Sequence, residues 1–68
     1  MDRLKLEYAI KKKKLTYKEV CEALNISRSA FYRKSRGISE FTQSEISILI
    51  DLLDLENPCE IFFANNVS

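Results

Sequence analysis

The sequence predicts an all-α fold, a compact bundle of about five short helices in a single domain. At 68 residues the chain is long enough for one domain only. Its single glycine and single proline provide little of the turn chemistry that a β-rich fold needs. Apolar residues make up 46% of the chain and charged residues 31%, a balance that is typical of a globular domain and not of a disordered tail. We therefore treat residues 1–68 as one domain.

The first helix is predicted over about Asp2 to Lys13. Leu6, Ala9 and Ile10 follow the i, i+3, i+4 spacing of one helix face. The four lysines at 11–14 then suit the negative end of the helix dipole.

The second and third helices are predicted from their capping residues. The segment from Thr16 to Glu19, Thr-Tyr-Lys-Glu, has the form of a capping box that begins a helix. Asn25 tolerates the left-handed backbone that ends many helices. Ser27 then caps a third helix that runs from Arg28 to about Ser35, and Gly37 ends it.

The second half of the chain predicts two more helices. Thr42-Gln43-Ser44-Glu45 is another capping box. It precedes apolar residues at i, i+3, i+4 and i+7, which are Ile46, Leu49, Ile50 and Leu53. Asn57 and Pro58 fit the N-cap and first position of a short fifth helix.

The net charge of +1 hides a strong asymmetry along the chain. All 11 lysines and arginines lie between Arg3 and Arg36, together with only four acids, so residues 1–36 carry a net charge of +7. Residues 37–68 hold six acids and no base, a net charge of −6. This segregation predicts a basic surface that faces a polyanion and an acidic surface that does not. The alternative is that both halves are simply solvated.

Residues 16–36 fit the helix-turn-helix pattern, in which two short helices are joined by a tight turn and the second is polar and basic. Cys21 is the small residue that lets the two helices cross closely. Asn25 suits a turn that needs positive φ. Phe31 is the large inward anchor of the second helix, which leaves its outward face free to offer hydrogen-bond donors.

The sequence of residues 15–37, LTYKEVCEALNISRSAFYRKSRG, resembles the Cro and lambda-repressor family of phage and bacterial regulators. The usual run in that family is L-T-x-x-E-[LV]-A-x-x-L-G-[IV]-S-x-S-x-[FV]. Residues 41–55 and 61–63 are also similar to short regulators of phages that infect Gram-positive bacteria. Three positions depart from the family pattern: Cys21 stands for alanine, Asn25 for glycine, and Lys34 for an apolar residue. The resemblance implies a lambda-repressor-like DNA-binding domain and a phage or prophage transcription regulator.

The resemblance also implies which residues contact double-stranded DNA, because the recognition helix of this family lies in the major groove. The third helix, at about 28–35, takes that role, and Arg28 is the best candidate for a bidentate contact to guanine. The alternative for Tyr17 is that it covers the edge of the core, and the alternative for Tyr32 is that it stacks on Leu4 or on the loop and does not face DNA. The predicted base-reading residues are Ser27, Arg28, Ser29, Tyr32 and Arg33, and the predicted backbone and phosphate contacts are Tyr17, Lys18, Lys34 and Arg36.

A second predicted surface lies near the end of the chain. Two adjacent phenylalanines on a helix cannot point the same way, so one is expected to pack under Ile50 and Leu53 and the other to be exposed. Ile61, Phe62, Phe63 and Val67 are therefore candidates for a homodimer contact or for a heterologous partner. Completion of the core is the alternative.

Two functions remain open on these observations. The first is a regulator that binds a two-fold operator as a homodimer, with half-sites about one helical turn apart. The second is an antirepressor or modulator that keeps the fold but binds another regulator protein, such as a partner repressor.

Several other classes are not expected. The chain has no histidine, no glycine-rich phosphate loop and no nucleophile with a positioned base, so we expect neither an enzyme nor a cofactor. Cys21 and Cys59 are too few and too distant for a zinc site and are expected to be free thiols. No apolar run approaches the roughly 18 residues that span a bilayer, and no secretory signal is evident. We expect a cytoplasmic protein.

Overall fold

A computed structural model of the chain describes residues 1–63, in which five helices and no strand are found. The helices are α1 (Arg3–Lys12), α2 (Tyr17–Leu24), α3 (Arg28–Ser35), α4 (Gln43–Leu53) and α5 (Pro58–Phe62). Over these residues the prediction of an all-α fold is confirmed. The helix boundaries lie within a residue of those predicted, because most are set by capping residues that the sequence shows directly.

The N-termini of α2, α3 and α4 are closed by side-chain hydrogen bonds. At the start of α2 the backbone N–H of Thr16 donates to Glu19 Oε1 at 2.8 Å, and the backbone N–H of Glu19 donates to Thr16 Oγ1 at 3.1 Å. The same reciprocal pair occurs at Thr42 and Glu45, at 2.9 and 3.1 Å. Ser27 Oγ accepts the N–H of the third residue of α3 at 3.1 Å. Each bond satisfies a backbone donor that the helix leaves without a partner.

The chain turns where residues adopt the left-handed backbone conformation. Asn25, between α2 and α3, has φ of 58°, as the sequence predicts. Gly37 follows α3 with φ of 82°, a value at which a residue without Cβ is unstrained. Lys14 and Asp54 also have positive φ, at 60° and 53°, after α1 and α4. Neither of these two positions is a glycine, so the sequence does not predict their positive φ.

The core lies on α2, which packs against both α3 and α4, whereas α1 packs against α5. Val20 of α2 and Leu49 of α4 are fully buried, which places the contact between these two helices at the centre. Every helix contributes at least one side chain. The buried apolar residues are Leu6, Ile10, Val20, Cys21, Leu24, Phe31, Phe41, Leu49, Leu53 and Ile61.

A series of aromatic contacts links α3, the loop before α4, and α5. Phe31 of α3 lies 6.0 Å from Phe41 between ring centroids, and Phe41 lies 5.7 Å from Phe62. Both contacts are edge-to-face, the arrangement that the ring quadrupoles favour. Phe41, in the loop before α4, therefore links the recognition-helix candidate α3 to α5.

The region of α5 corrects part of the predicted partner surface. Ile61 is 6% exposed and belongs to the core, and its carbonyl accepts the backbone N–H of Asp2 at 2.8 Å. Phe62 is half-buried against Phe41. Phe63 is 66% exposed, so the expected division between an inner and an outer phenylalanine is found. Ile61 is excluded as a partner contact because α1 already covers it, and Val67 lies outside the described residues.

The start of α5 also differs from the prediction in detail. Asn57 occupies the N-cap position and Pro58 the first helical position, but the Asn57 side chain makes no capping hydrogen bond. Proline needs no N–H partner at that position.

Candidate nucleic-acid interface

The pair α2 and α3 and the turn between them form the framework of the candidate interface. Cys21 is 5% exposed and faces the close contact of the two helices, which a larger residue would widen. In the turn, the N–H of Ile26 donates to the carbonyl of Cys21 at 3.1 Å. Phe31 and Ser35 form the inner side of α3, at 5% and 7% exposed. These contacts hold α3 at a defined angle on α2.

The outer side of α3 presents two rows of polar side chains. Arg28 and Tyr32 are four residues apart and therefore neighbours on one row, as are Ser29 and Arg33 on the next. All four are exposed. Ser27 is exposed as well, and because its Oγ accepts the capping bond, its hydroxyl proton is free to donate. The predicted base-reading residues are thus brought together on one surface.

The arginines of this surface form no ion pair with a carboxylate of the described residues. Among residues 1–63, neither Arg28 nor Arg33 forms an ion pair, and the same holds for Lys18 and Arg36. The guanidinium of Arg36 lies 5.3 Å from the centre of the Tyr32 ring, a cation–π distance. The outer face of α3 therefore carries positive charge that the rest of the described chain leaves uncompensated.

Lys34 differs from the prediction that it contacts a phosphate. Its Nζ lies 2.6 and 2.7 Å from the two carboxylate oxygens of Glu45, and the two side chains are only 16% and 12% exposed. The ammonium also lies 6.0 Å from the centre of the Phe41 ring. The charge of Lys34 is thus satisfied inside the protein. We therefore remove it from the interface.

The contact with Lys34 also affects the pKa of the Glu45 carboxyl. Burial acts to raise the pKa of its carboxyl, but the hydrogen bonds from Lys34 and from the Thr42 backbone outweigh burial and lower the pKa from its ordinary value. Glu45 thus stays charged, closes the capping box of α4 and holds α3 against α4. The sequence shows only the capping role.

The two oppositely charged halves of the sequence partly fold onto each other. Glu45 binds Lys34, Glu60 binds Lys5 at 2.9 Å, and Asp54 lies 3.7 Å from Lys13. Three of the six acids in residues 37–68 therefore neutralise bases of residues 1–36. The predicted separation into a basic and an acidic surface is consequently weaker than the sequence suggests. Within residues 1–63 the exposed bases that form no ion pair lie on α3 and its C-cap, at the end of α1 and at the start of α2: Arg28, Arg33, Arg36, Lys11, Lys12, Lys14 and Lys18.

The two tyrosines of the predicted site are placed differently from one another. The Tyr17 ring packs on Phe31 with centroids 5.7 Å apart, and the residue remains 38% exposed. Burial raises the pKa of the Tyr17 phenol, and the carboxylate of Glu7 acts in the same direction. Tyr17 therefore covers the core edge, as the alternative stated. Tyr32 is 56% exposed, and the guanidinium of Arg36 lies beside its ring.

The sequence did not indicate that α1 belongs to the site. Arg3 and Glu7, whose side chains approach to 3.6 Å, lie across from α3, and an open groove of about 550 Å³ separates them from Arg28, Tyr32 and Arg33. Their i, i+4 spacing places them on one face of α1 but does not say which helix that face meets. Only the tertiary structure, in which residues of α1, α2 and α3 line one groove, shows this.

The remaining predictions concern cysteines, metals and membranes. Cys21 is a buried free thiol and Cys59 an exposed one. Within the part of the chain that the structure describes, no three histidine, cysteine or acidic side chains come close enough to hold a metal ion. None of the helices over residues 1–63 combines the length and apolar character needed to cross a bilayer.

Comparison with protein-family models, with curated proteins and with solved structures found no match to this chain. The resemblance to the Cro and lambda-repressor family therefore depends on the residue patterns of 15–37, 41–55 and 61–63 alone.

Proposed function

We propose that this chain is a sequence-specific, double-stranded-DNA-binding transcription regulator of Cro-like or repressor-like type, with a lambda-repressor-like fold. The observation that carries the proposal is the outer face of α3, where Arg28 and Arg33 are exposed and have no carboxylate partner among the described residues. A guanidinium presents five donors in a rigid fork that matches both base edges and phosphates.

In this proposal, the position of a side chain along α3 decides whether it contacts a base or the DNA backbone. Arg28 and Ser29, in the first turn of α3, read base edges, with Arg28 donating to guanine O6 and N7. Arg33 and Tyr32, one turn later, read a base or contact the sugar-phosphate backbone. Phosphate contacts position the protein but carry no sequence information. Those contacts come from Lys18, Arg36 and the exposed edge of Tyr17.

An eight-residue recognition helix makes few contacts, so specific binding calls for two copies on a two-fold site. The exposed Phe63 beside the half-buried Phe62 supports a dimer contact at this end of the chain. We infer a non-enzymatic protein of the cytoplasm that acts as a homodimer on DNA.

The test begins with selection of duplexes from a random pool by the full chain. Fluorescence anisotropy then measures the affinity for an enriched duplex over a series of salt concentrations. Affinity should fall steeply with salt because phosphate contacts release counterions. Arg28→Ala should weaken specific binding about tenfold to hundredfold, since a bidentate base contact contributes roughly 1–3 kcal/mol.

Lys12→Ala is the matched control, because it also removes one positive charge of the basic half. Lys12 lies in a cleft against the segment from Leu53 to Asn57, away from the groove beside α3. Its effect on specific affinity should stay within about threefold, the size of a long-range charge effect. Failure to enrich any duplex, or equal losses for the two variants, would refute the proposal.

A second candidate is an antirepressor or modulator that binds another regulator protein. Phe63 is exposed, and the exposed acids Glu40, Asp51 and Glu56 form no ion pair among residues 1–63. A purified helix-turn-helix repressor should then bind the chain after nuclease treatment. The interaction should be lost when these three acids are changed to lysine and kept in Arg28→Ala, the reverse of the expectation for DNA binding.

A further inference from the structure

We propose that the groove between α1, α2 and α3 binds a small aromatic anion, and that an occupied groove and DNA exclude each other. The binding of the anion stands on the structure alone. The exclusion of DNA rests on the function proposed above.

The groove has the size and lining of a small-molecule site. Its volume is about 550 Å³, inside the range of roughly 300–1,000 Å³ that is usual for such sites. Leu6, Cys21 and Phe31, which are 1%, 5% and 5% exposed, form an apolar floor. The rings of Tyr17 and Tyr32 stand beside it and remain partly exposed. The floor is almost fully buried already, so the rings of Tyr17 and Tyr32 are the surfaces that a ligand can cover. They suit a ligand of one or two fused aromatic rings that stacks on them.

The charges at the rim specify an anion and its orientation. Arg3 lies 3.6 Å from Glu7, so the α1 side of the groove is close to neutral. Arg28 and Arg33 stand on the α3 side without a carboxylate partner in the described chain. A ligand carboxylate therefore gains most at the α3 side, where a guanidinium can bind both of its oxygens.

The environment of the groove strengthens such a contact. Burial raises the pKa of the Tyr17 phenol and of the Cys21 thiol, and both line the groove. Leu6, Cys21 and Phe31 at the floor are at most 5% exposed, so little water contacts the floor. A charge pair formed at the edge of a water-poor surface is worth more than one in bulk solvent.

The same arginines serve the proposed DNA face, and this overlap is the basis of the exclusion. An Arg28 guanidinium that binds a carboxylate through two N–H groups cannot donate those groups to guanine. Competition for one site raises the apparent Kd for DNA by a factor of one plus the ratio of ligand concentration to ligand Kd. At a ligand concentration about ten times its own Kd, DNA should therefore bind about elevenfold more weakly.

The probe is naphthalene-2-carboxylate, titrated into the full chain labelled with nitrogen-15 and followed by backbone amide shifts. Saturable shifts are expected in the parts of α1, α2 and α3 that line the groove. Naphthalene-2-carboxamide, which has the same rings without the charge, should bind about tenfold more weakly or worse. Inorganic phosphate, an anion without rings, should produce no saturable shift at the same concentrations.

Two variants and a matched control locate the charge contact. Arg28→Gln and Arg33→Gln should each weaken binding of the carboxylate about tenfold. Lys12→Gln removes the same charge, but Lys12 lies in the cleft against residues 53–57 and does not line the groove, so its effect should stay within about twofold. Equal binding of the carboxylate and the carboxamide, equal binding of phosphate, or shifts centred elsewhere would each overturn the groove as an aromatic-anion site.

A competition experiment with DNA tests the exclusion and distinguishes its failure from failure of the proposed function. An anisotropy competition with an enriched duplex should show the elevenfold loss of DNA affinity at about ten times the ligand Kd. Unchanged DNA affinity with the groove saturated would overturn the exclusion. If no duplex binds at all while the carboxylate still saturates the groove, the proposed function fails and the ligand site stands.

Discussion

The ion pair between Lys34 and Glu45 offers a direct test of what holds α3 in place. Lys34→Met keeps most of the apolar stem but removes the ammonium. Glu45 would then keep the backbone N–H of Thr42, at 2.9 Å, and lose two short contacts at 2.6 and 2.7 Å. A carboxylate with 12% of its side chain exposed would remain charged and only partly satisfied.

The expected loss lies between two known limits. Breaking a fully buried ion pair costs about 3–5 kcal/mol, whereas an exposed pair contributes about 0–1 kcal/mol. Because some solvent reaches both side chains, we expect Lys34→Met to lower the free energy of unfolding by about 2 kcal/mol. A chain of 68 residues has roughly 3–10 kcal/mol of total stability. The loss corresponds to a drop of about 8–16 °C in Tm.

Urea denaturation followed by circular dichroism measures this loss, and Lys13→Met is the matched control. Lys13 lies 3.7 Å from Asp54, with the two side chains 40% and 85% exposed, so its removal should cost less than about 0.5 kcal/mol. If Lys34→Met loses no more stability than Lys13→Met, the ion pair does not hold α3 and the reasoning is refuted.

The same pair makes a prediction about pH. The pKa of Glu45 is lowered in the folded chain, so in acid the unfolded chain binds more protons than the folded one. The stabilisation is therefore complete above the ordinary pKa of glutamate and is lost as the pH falls through the lowered value. The stability advantage of the native chain over Glu45→Gln should shrink in acid, and parallel pH profiles of the two would contradict this.

Three further predictions concern local features. Thr16→Ala should cost about 1 kcal/mol in urea denaturation because it removes the cap of α2, and an unchanged midpoint would show that the capping box is dispensable. Asn25→Ala should cost about 1 kcal/mol because Asn25 has φ of 58°. Asn25→Gly should preserve or raise stability, and the reverse order would argue against a left-handed turn. In the native chain Cys59 should react with a thiol reagent at least about tenfold faster than Cys21, whose burial also raises its pKa. Equal rates would place Cys21 at the surface.

The fold was largely predictable because its helix boundaries depend on contacts between residues three or four apart. The capping boxes at Thr16 and Thr42, the cap at Ser27 and the turn at Asn25 are visible as residue patterns, and the structure has each of them in place. The buried positions of α4 follow its apolar periodicity in the same way, with Leu49 and Leu53 innermost. The lambda-repressor-like identity of the bundle is a different matter and stays a proposal.

The candidate site was only partly predictable. The outward positions of Arg28 and Arg33 follow from the helical period once Phe31 is taken as the inward residue. The positive charge of Lys34 also predicts an outward position. Nothing in the local sequence links Lys34 to Glu45, which is eleven residues away.

The amino-acid sequence settles where α2, α3 and α4 begin and where α2 and α3 end, because hydrogen-bonded caps and left-handed turn residues act over a single turn of chain. Tertiary packing alone decides which charges cancel, which of two adjacent phenylalanines is covered, and that α1 stands across a groove from α3. The physical reason is that electrostatic energy and burial depend on distance in space, and the distance between two helices is set by the whole core.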